Sequence, residues 1–124
     1  MAAIFNLLLA SFVFLCILQA GSAQCTLSNI TVSQSKTGAH VQGKPEYKVV
    51  IANNCICGQS SLLLKCSGFH SVEPVDPNVF KPMGGDQCSV NNERPVFQGH
   101  DIAFKYASDT RFDLSPASSQ INCS

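Results

Sequence analysis

The cysteines constrain this chain more than any other feature of its sequence. Seven are present among 124 residues, and one of them, Cys16, lies in an apolar leader. Removal of the leader leaves an even set of six: Cys25, Cys55, Cys57, Cys66, Cys88 and Cys123. An even number of cysteines in a short exported chain is typical of a disulfide framework. We therefore predict that disulfides staple a domain that is too small to depend on its apolar core alone.

The leader has the layout of a secretory signal peptide. Residues 4–18 are almost entirely apolar, and the small residues Gly21 and Ala23 follow them. This order of an apolar stretch and small residues is what a signal peptidase recognises. The stretch is shorter than the ~20 residues of a membrane-spanning helix. We predict a signal peptide at 1–23, an extracellular domain at 24–124 and no membrane insertion after cleavage. An uncleaved anchor and a buried core helix are the alternatives.

The spacing of the cysteines leaves their pairing unknown. Six cysteines can pair in fifteen ways, and only a Cys55–Cys57 bridge is disfavoured, because one intervening residue gives a strained ring. Metal binding is the alternative, since Cys55, Cys57, Cys66 and Cys88 could supply thiolates. The paired spacing of structural zinc sites is absent, however, and an oxidising compartment favours disulfides. We predict no metal and no cofactor.

Charge and motifs argue against several classes of function. Eight Lys and Arg residues balance eight Asp and Glu residues, so we expect no basic surface for nucleic acid or a membrane. The sequence has no Gly-x-Ser-x-Gly or His-Glu-x-x-His motif and no glycine-rich phosphate loop. The three histidines are expected in turns or at strand edges, at His40, His70 and His100. We predict no catalytic residues and a protein that is not an enzyme.

The part of the chain after the leader reads as all-β. Short runs of β-branched and aromatic residues alternate with Gly, Pro, Asn and Asp, and no helical period is sustained. In the clearest strand, Tyr47, Val49 and Ile51 share the buried face. Predicted strands cover residues 29–33, 46–53, 61–66, 101–107 and 111–114, and turn-rich connections cover 37–45 and 90–95. A structured connection or an edge is predicted for 71–83. The expected fold is a disulfide-stapled antiparallel β-sandwich of about six to eight short strands.

Two glycosylation sequons are present. Asn29-Ile30-Thr31 is the candidate site, because Asn29 and Thr31 would point outward if Ile30 points into the core. Asn122-Cys123-Ser124 is formally a second sequon. We do not expect a glycan on Asn122, because the cysteine beside it is predicted to be bridged.

The segment 69–80 mixes aromatic, charged and proline residues, which allows two interpretations. A proline-rich loop loses little entropy on binding and could contact a partner. Alternatively, Phe69, Val72 and Phe80 could cover the end of the sandwich, and we favour this second interpretation for the apolar side chains.

Several motifs around the cysteines occur together across the whole domain. They are Cys25-x-x-x-Asn29-Ile30-x-Val32-x-Gln34, Gly43-x-Pro45-Glu46-Tyr47-x-Val49-x-Ile51-x-Asn53-Asn54-Cys55, Cys66-x-Gly68-Phe69-x-Ser71-Val72, Pro77-x-Val79-Phe80, Cys88-x-Val90-Asn91, Phe104-x-Tyr106-Ala107 and Cys123. In this combined spacing the chain resembles the tapetum determinant family of small cysteine-rich secreted plant proteins. It departs from the founding type in the single residue between Cys55 and Cys57 and in how soon Cys25 follows the signal peptide, so it resembles a shorter branch.

The resemblance implies a function. Members of this family are secreted into the apoplast as signalling ligands for leucine-rich-repeat receptor kinases, with a best-known role in specifying the tapetal cells of the anther. It implies that the six cysteines are structural, and it carries over no receptor-binding residue, so the receptor-binding residues are unknown. The rival hypothesis is a carbohydrate-binding or wall-associated β-sandwich, although the absence of Trp makes stacking platforms scarce. A secreted inhibitor or defence protein and a small hydrolase are weaker alternatives.

Overall fold

The computed structural model describes residues 24–123, so the predicted signal peptide at 1–23 lies outside the described residues. Within 24–123 the chain forms seven strands: β1 (Ile30–Val41), β2 (Lys44–Asn53), β3 (Gly58–Lys65), β4 (Phe80–Gly84), β5 (Gln87–Val90), β6 (Ile102–Ala107) and β7 (Ser115–Asn122). Short 3-10 helices cover Leu27–Asn29 and Asn91–Glu93. No helix in this part of the chain has the length and apolar character needed to cross a membrane.

The strands form two antiparallel sheets, which confirms the predicted sandwich. Sheet A has the order β1-β2-β6, and sheet B has the order β4-β5-β3-β7. In sheet A, Tyr47, Val49 and Ile51 of β2 are buried as predicted. Leu62 and Leu64 of β3 are fully buried in the same core. The two sheets therefore pack through the alternating apolar faces of their strands.

Aromatic side chains connect the sheets at the β4–β6 side. The rings of Phe80 in β4 and Phe104 in β6 stack with centroids 4.3 Å apart. Phe69 packs edge-on against Phe80 and against Tyr106, at 5.1 and 5.2 Å. Phe69 and Phe80 thus cover this part of the core, as favoured from the sequence, whereas Val72, the third residue of that prediction, is half-buried outside the core cluster. Such ring pairs add roughly 0.5–1.5 kcal/mol each to the burial of their area.

The hairpin between β1 and β2 corrects one prediction. Residues 37–45 were expected to be a turn-rich connection, but β1 continues to Val41. The reversal is confined to Gln42 and Gly43, whose φ angles of 51° and 79° match a two-residue hairpin turn. A register shift between Lys36 and His40 accommodates the polar residues in between. A bulge in an exposed hairpin has the same local composition as a loop, which explains the error.

The last strand was also placed wrongly. The predicted strand at 111–114 is a loop in which Leu114 is buried, and β7 begins only at Ser115. β7 has the sequence SPASSQIN, which shows little of the alternation expected of a strand. It lies at the edge of sheet B, where one neighbour, β3, supplies all its pairing. A polar edge strand that carries Pro116 is compatible with this position and hard to recognise.

The disulfides join chain segments that are distant in sequence. The pairs are Cys25–Cys55, Cys57–Cys123 and Cys66–Cys88, with Cα separations of 5.6, 4.7 and 6.0 Å. The first two bridges are neighbours, because the N–H of Cys57 lies 3.4 Å from Sγ of Cys25. The sulfurs of Cys25, Cys57 and Cys123 lie within 4.8 Å of one another. All three are bonded to sulfur, so they offer no thiolate for a metal ion.

Candidate protein-binding face

The turn after β5 has an unusual backbone. Asn91, Asn92 and Glu93 have φ angles of 57°, 54° and 64°, all in the left-handed region. Asparagine tolerates this conformation better than most residues, but three consecutive non-glycine residues there are rare. Each costs of order 1–2 kcal/mol, so the surrounding structure must hold the turn in place. Strained backbone of this kind is concentrated at functional sites, which makes this turn a candidate for one.

Hydrogen bonds from both ends hold the left-handed turn. The N–H of Asn91 donates to the carbonyl of Val79 at 2.9 Å, and Nδ2 of Asn91 donates to the carbonyl of Pro95 at 3.1 Å. The backbone N–H and Nε of Arg94 both donate to the carbonyl of Asn91, at 3.1 and 3.2 Å. The guanidinium group of Arg94 is therefore held at the surface by its own turn.

The turn borders an open groove, which we call the 91–102 groove. It has a volume of about 490 Å³ and is lined by Asn91, Arg94, Pro95, Phe97, His100 and Ile102. Its lining combines an apolar wall with a guanidinium group and an imidazole, and it contains no carboxylate. The groove is therefore suited to a ligand that presents an acidic group next to an apolar one.

Phe97 is the prominent apolar side chain of this groove, with 52% of its surface exposed. Its ring lies over Gly58, where a Cβ atom would be only 2.9 Å from Cε1 of Phe97. The residue before it, Val96, is 1% exposed and exchanges backbone hydrogen bonds of 2.8 and 3.1 Å with Gln59. Phe97 is thus an exposed aromatic residue on a fixed backbone.

Two buried amide side chains support the groove from below. Nδ2 of Asn53, which is 1% exposed, donates to the carbonyl of Val96 at 2.9 Å. Gln59 is fully buried, donates to the carbonyl of Thr26 at 3.0 Å and accepts from Ser119 at 2.6 Å. Buried amides with satisfied hydrogen bonds define a single conformation, because any displacement leaves them unpaired. The segment that carries Phe97 is therefore preorganised.

The histidines do not come together in the described part of the chain. His40 is exposed on β1, and His100 lines the groove. Nδ1 of His70 is 3.0 Å from the carbonyl of Gly68, which requires a proton on Nδ1, and Nε2 faces the hydroxyl of Ser108 at 3.4 Å. Ser108 is only 2% exposed, so a substrate could not reach it. This burial argues against a nucleophilic role for Ser108.

The two sequons lie in different environments. Asn29 is half-buried at the end of the first 3-10 helix, and its Oδ1 accepts the N–H of Thr26 at 2.8 Å. Thr31 is exposed on β1. Asn122 is exposed at the end of β7, and its Nδ2 donates to the hydroxyl of Ser60 at 2.9 Å. A glycan at Asn29 and none at Asn122 remain predictions.

The groove residues were not identified from the sequence as a site. A turn was expected around 90–95, and the Asn91-Asn92 pair is the signal that could have indicated left-handed backbone. Nothing in the sequence distinguishes Phe97 from the buried phenylalanines. Its ring lies against Gly58 of β3, a neighbour that is distant in sequence.

Comparison with known proteins gives a family. A protein-family model described as "Tapetum determinant 1, C-terminal" matches residues 26–124. The matched region includes the whole sandwich and the six cysteines except Cys25. No solved structure matches the chain.

Curated relatives come from two flowering plants. TPD1 protein homolog 1 of Arabidopsis thaliana is 34% identical over 96 residues, which cover 76% of this chain and 54% of that protein. TPD1 protein homolog 1A of Oryza sativa subsp. japonica is 30% identical over 95 residues, covering 70% and 42%. Homolog 1B of the same rice is 29% identical over 94 residues, covering 75% and 56%. The chain spans about half the length of these relatives.

Proposed function

The chain belongs to the tapetum determinant 1 family, and on this basis we propose that it is a secreted cysteine-rich signalling ligand. Residues 1–23 would direct export, and residues 24–124 would act as the extracellular domain in the apoplast. The proposed partner is the ectodomain of a leucine-rich-repeat receptor kinase. The proposed process is cell-fate specification in the plant, with the anther tapetum as the tissue that the family's name indicates.

The observation that supports this proposal best is the 91–102 groove. Aromatic residues, phenylalanine included, and arginine are both enriched in the cores of protein interfaces. Phe97 and Arg94 are both held by backbone contacts, so little conformational entropy would be lost on binding. A rigid β domain of this size can lie on the concave surface of a repeat solenoid.

The groove also indicates the chemistry of the contact. Arg94 and His100 line it without a carboxylate, and Pro95, Phe97 and Ile102 supply an apolar wall. We expect the partner to insert an Asp or Glu beside an apolar side chain. The carboxylate would accept charge-assisted hydrogen bonds from the guanidinium group, which are stronger than neutral ones.

The test is a direct binding measurement with the oxidised, secreted protein and a panel of purified leucine-rich-repeat ectodomains. We expect one or more receptors to bind. In those complexes Phe97→Ala and Arg94→Glu should each weaken the affinity by about tenfold or more, since truncating a central interface residue costs at least ~2 kcal/mol. The measurement is surface plasmon resonance of each variant.

Matched controls lie on β4. Met83→Ala removes another exposed apolar side chain, 49% exposed, and Lys81→Glu reverses another exposed charge. Both should leave the affinity within about twofold, as expected outside an interface centre. If no ectodomain binds and the protein is instead retained on wall polysaccharide, the ligand hypothesis is wrong. If a receptor binds equally to groove and control variants, the function stands and the groove is not the contact.

A further inference from the structure

Two glutamates meet between sheet A and the connection from β3 to β4. Glu46 of β2 is only 7% exposed, and its Oε1 accepts a 2.7 Å hydrogen bond from the hydroxyl of Thr37. Glu73 of the connection brings its carboxyl group within hydrogen-bonding reach of Glu46. Two carboxyl groups within hydrogen-bonding reach of each other attract only when a proton lies between them.

One oxygen of this pair has no partner. Oε2 of Glu73 is buried and makes no hydrogen bond to any residue within 24–123. A buried charge without a partner is costly, so the neutral form of this carboxyl group is favoured. Lys105 of β6 is the cation that acts on both glutamates. His70, on the same connection as Glu73, faces the hydroxyl of Ser108 at 3.4 Å and is a further titratable group of this connection.

The pair lies where the connection is attached to sheet A. The N–H of Val72 donates to the carbonyl of Ala107 at 3.0 Å, and the N–H of Ala107 donates to the hydroxyl of Ser71 at 3.0 Å. The same hydroxyl donates to the carbonyl of Glu73 at 2.7 Å. Ala107 is the cross-strand partner of Glu46. The two carboxyl groups therefore adjoin the hydrogen bonds that hold residues 71–73 on the edge of β6.

We propose that Glu46 and Glu73 share one proton and act as a pH-dependent clamp that holds residues 71–73 against β6. In the closed state the protonated carboxyl group donates its hydrogen to the carboxylate of the other. Loss of this proton to solvent leaves two neighbouring carboxylates, which repel each other and release the segment. This inference concerns the fold and does not depend on the proposed receptor.

The direction of the pH dependence follows from the environment of each group. Burial, followed by the hydrogen bond and charge of Glu46, raises the pKa of Glu73 above 4.5. Stabilisation from Glu73 is therefore complete below about pH 4.5 and is lost as the pH rises through the raised pKa. Hydrogen bonds from Thr37 and Glu73 lower the pKa of Glu46. The stabilisation of the fold by Glu46 is present above the ordinary pKa of a glutamate. It is lost only as the pH falls through the lowered pKa.

The test is amide hydrogen exchange by NMR on the oxidised protein, from about pH 4.5 to about pH 8. The reporters are the N–H groups of Val72 and Ala107, and the quantity compared is the protection factor, which removes the intrinsic pH dependence of exchange. We expect protection of both amides to fall as the pH rises. The fall can reach at most about tenfold for each unit by which closure raises the pKa of Glu73.

Variants distinguish the effect of the Glu46–Glu73 pair from the effects of other ionisable groups. Glu73→Gln supplies a permanent donor to Glu46, so protection should stay high at all pH values. Glu46→Gln removes the neighbouring charge and should reduce the pH dependence, which gives a second measurement if the first variant does not fold. Glu93→Gln is the matched control, because Glu93 is an exposed glutamate on another turn, and it should behave like the unaltered protein.

His70 remains in every variant, so it cannot explain a difference between them. Constant protection in the unaltered protein would overturn the proposal. A fall that persists in both Glu73→Gln and Glu46→Gln, or one that Glu93→Gln also abolishes, would overturn it as well.

Discussion

Tyr106 joins three parts of the molecule through one hydroxyl group. Its Oη donates to Oε1 of Gln34 in β1 at 2.5 Å and accepts the N–H of Phe112 at 3.1 Å. Nε2 of Gln34 closes the triangle by donating to the carbonyl of Phe112 at 2.7 Å. Burial raises the pKa of Tyr106 above 10.0, so the hydroxyl remains a donor throughout the neutral range. This triangle holds the loop before β7 against sheet A.

Replacing Tyr106 by Phe should therefore destabilise the protein. The change leaves Oε1 of Gln34 and the N–H of Phe112 without their partner, at a cost of about 1–3 kcal/mol. Urea unfolding followed by circular dichroism measures this loss. Tyr47→Phe is the control, since Tyr47 stacks on Tyr106 at 5.2 Å but its hydroxyl makes no hydrogen bond within the described residues. Equal losses in the two variants would show that the triangle adds no stability.

Among the local elements, the turn at Asn91–Glu93 has a left-handed backbone although all three of its residues carry a side chain. Its hydrogen bonds to Val79 and Pro95 hold a conformation that glycine adopts readily and most other residues do not. Glu93 is the least suited of its three residues, because glutamate lacks the short side chain with which asparagine stabilises left-handed backbone. The element therefore retains strain next to the proposed binding groove.

Substitution at Glu93 measures that strain. Glu93→Gly should be more stable than Glu93→Ala by about 1 kcal/mol, because glycine removes the Cβ clash in left-handed backbone. Both variants remove the same exposed side chain, so their difference isolates the backbone. Thermal and urea unfolding give the comparison. If alanine were equally stable, the turn would have to adopt an ordinary right-handed conformation.

At the scale of the whole molecule, the disulfides complete a sandwich whose edges are weakly held. β7 is polar and pairs with one neighbour, and the chain before β1 is held by a 3-10 helix and the Cys25–Cys55 bridge. Cys57–Cys123 ties the end of β7 to the start of β3 across 66 residues of sequence. Closing a loop of this length lowers the conformational entropy of the unfolded chain. In the chain-entropy description this raises the free energy of unfolding by about 4 kcal/mol.

Removing that bridge should have a correspondingly large effect. Cys57→Ser combined with Cys123→Ser is expected to lower the free energy of unfolding by about 4 kcal/mol. The pair Cys25→Ser and Cys55→Ser, which opens a separation of 30 residues, should cost slightly less, about 3.5 kcal/mol. Urea unfolding of both double variants measures the two losses. A loss below about 1 kcal/mol for the first would contradict the chain-entropy estimate for this bridge.

The sequence predicts well those features that neighbouring residues decide. The alternation of Tyr47, Val49 and Ile51 identifies both a strand and its buried face, because a strand places every second side chain on the same side. The motifs around the cysteines likewise indicate the family. Local composition predicts the wrong element at 37–45, which belongs to a bulged hairpin, and at 111–114, which is a loop. In both segments the element depends on which part of the chain lies opposite.

What the sequence by itself determined is the all-β class, the faces of the central strands and the membership of a cysteine-rich family. What only the tertiary structure decided is the disulfide pairing, the exposure of Phe97 over Gly58 and the meeting of Glu46 with Glu73. The physical reason is distance along the chain. Each of these features joins residues from different strands or connections, and their positions relative to one another exist only after the two sheets have packed.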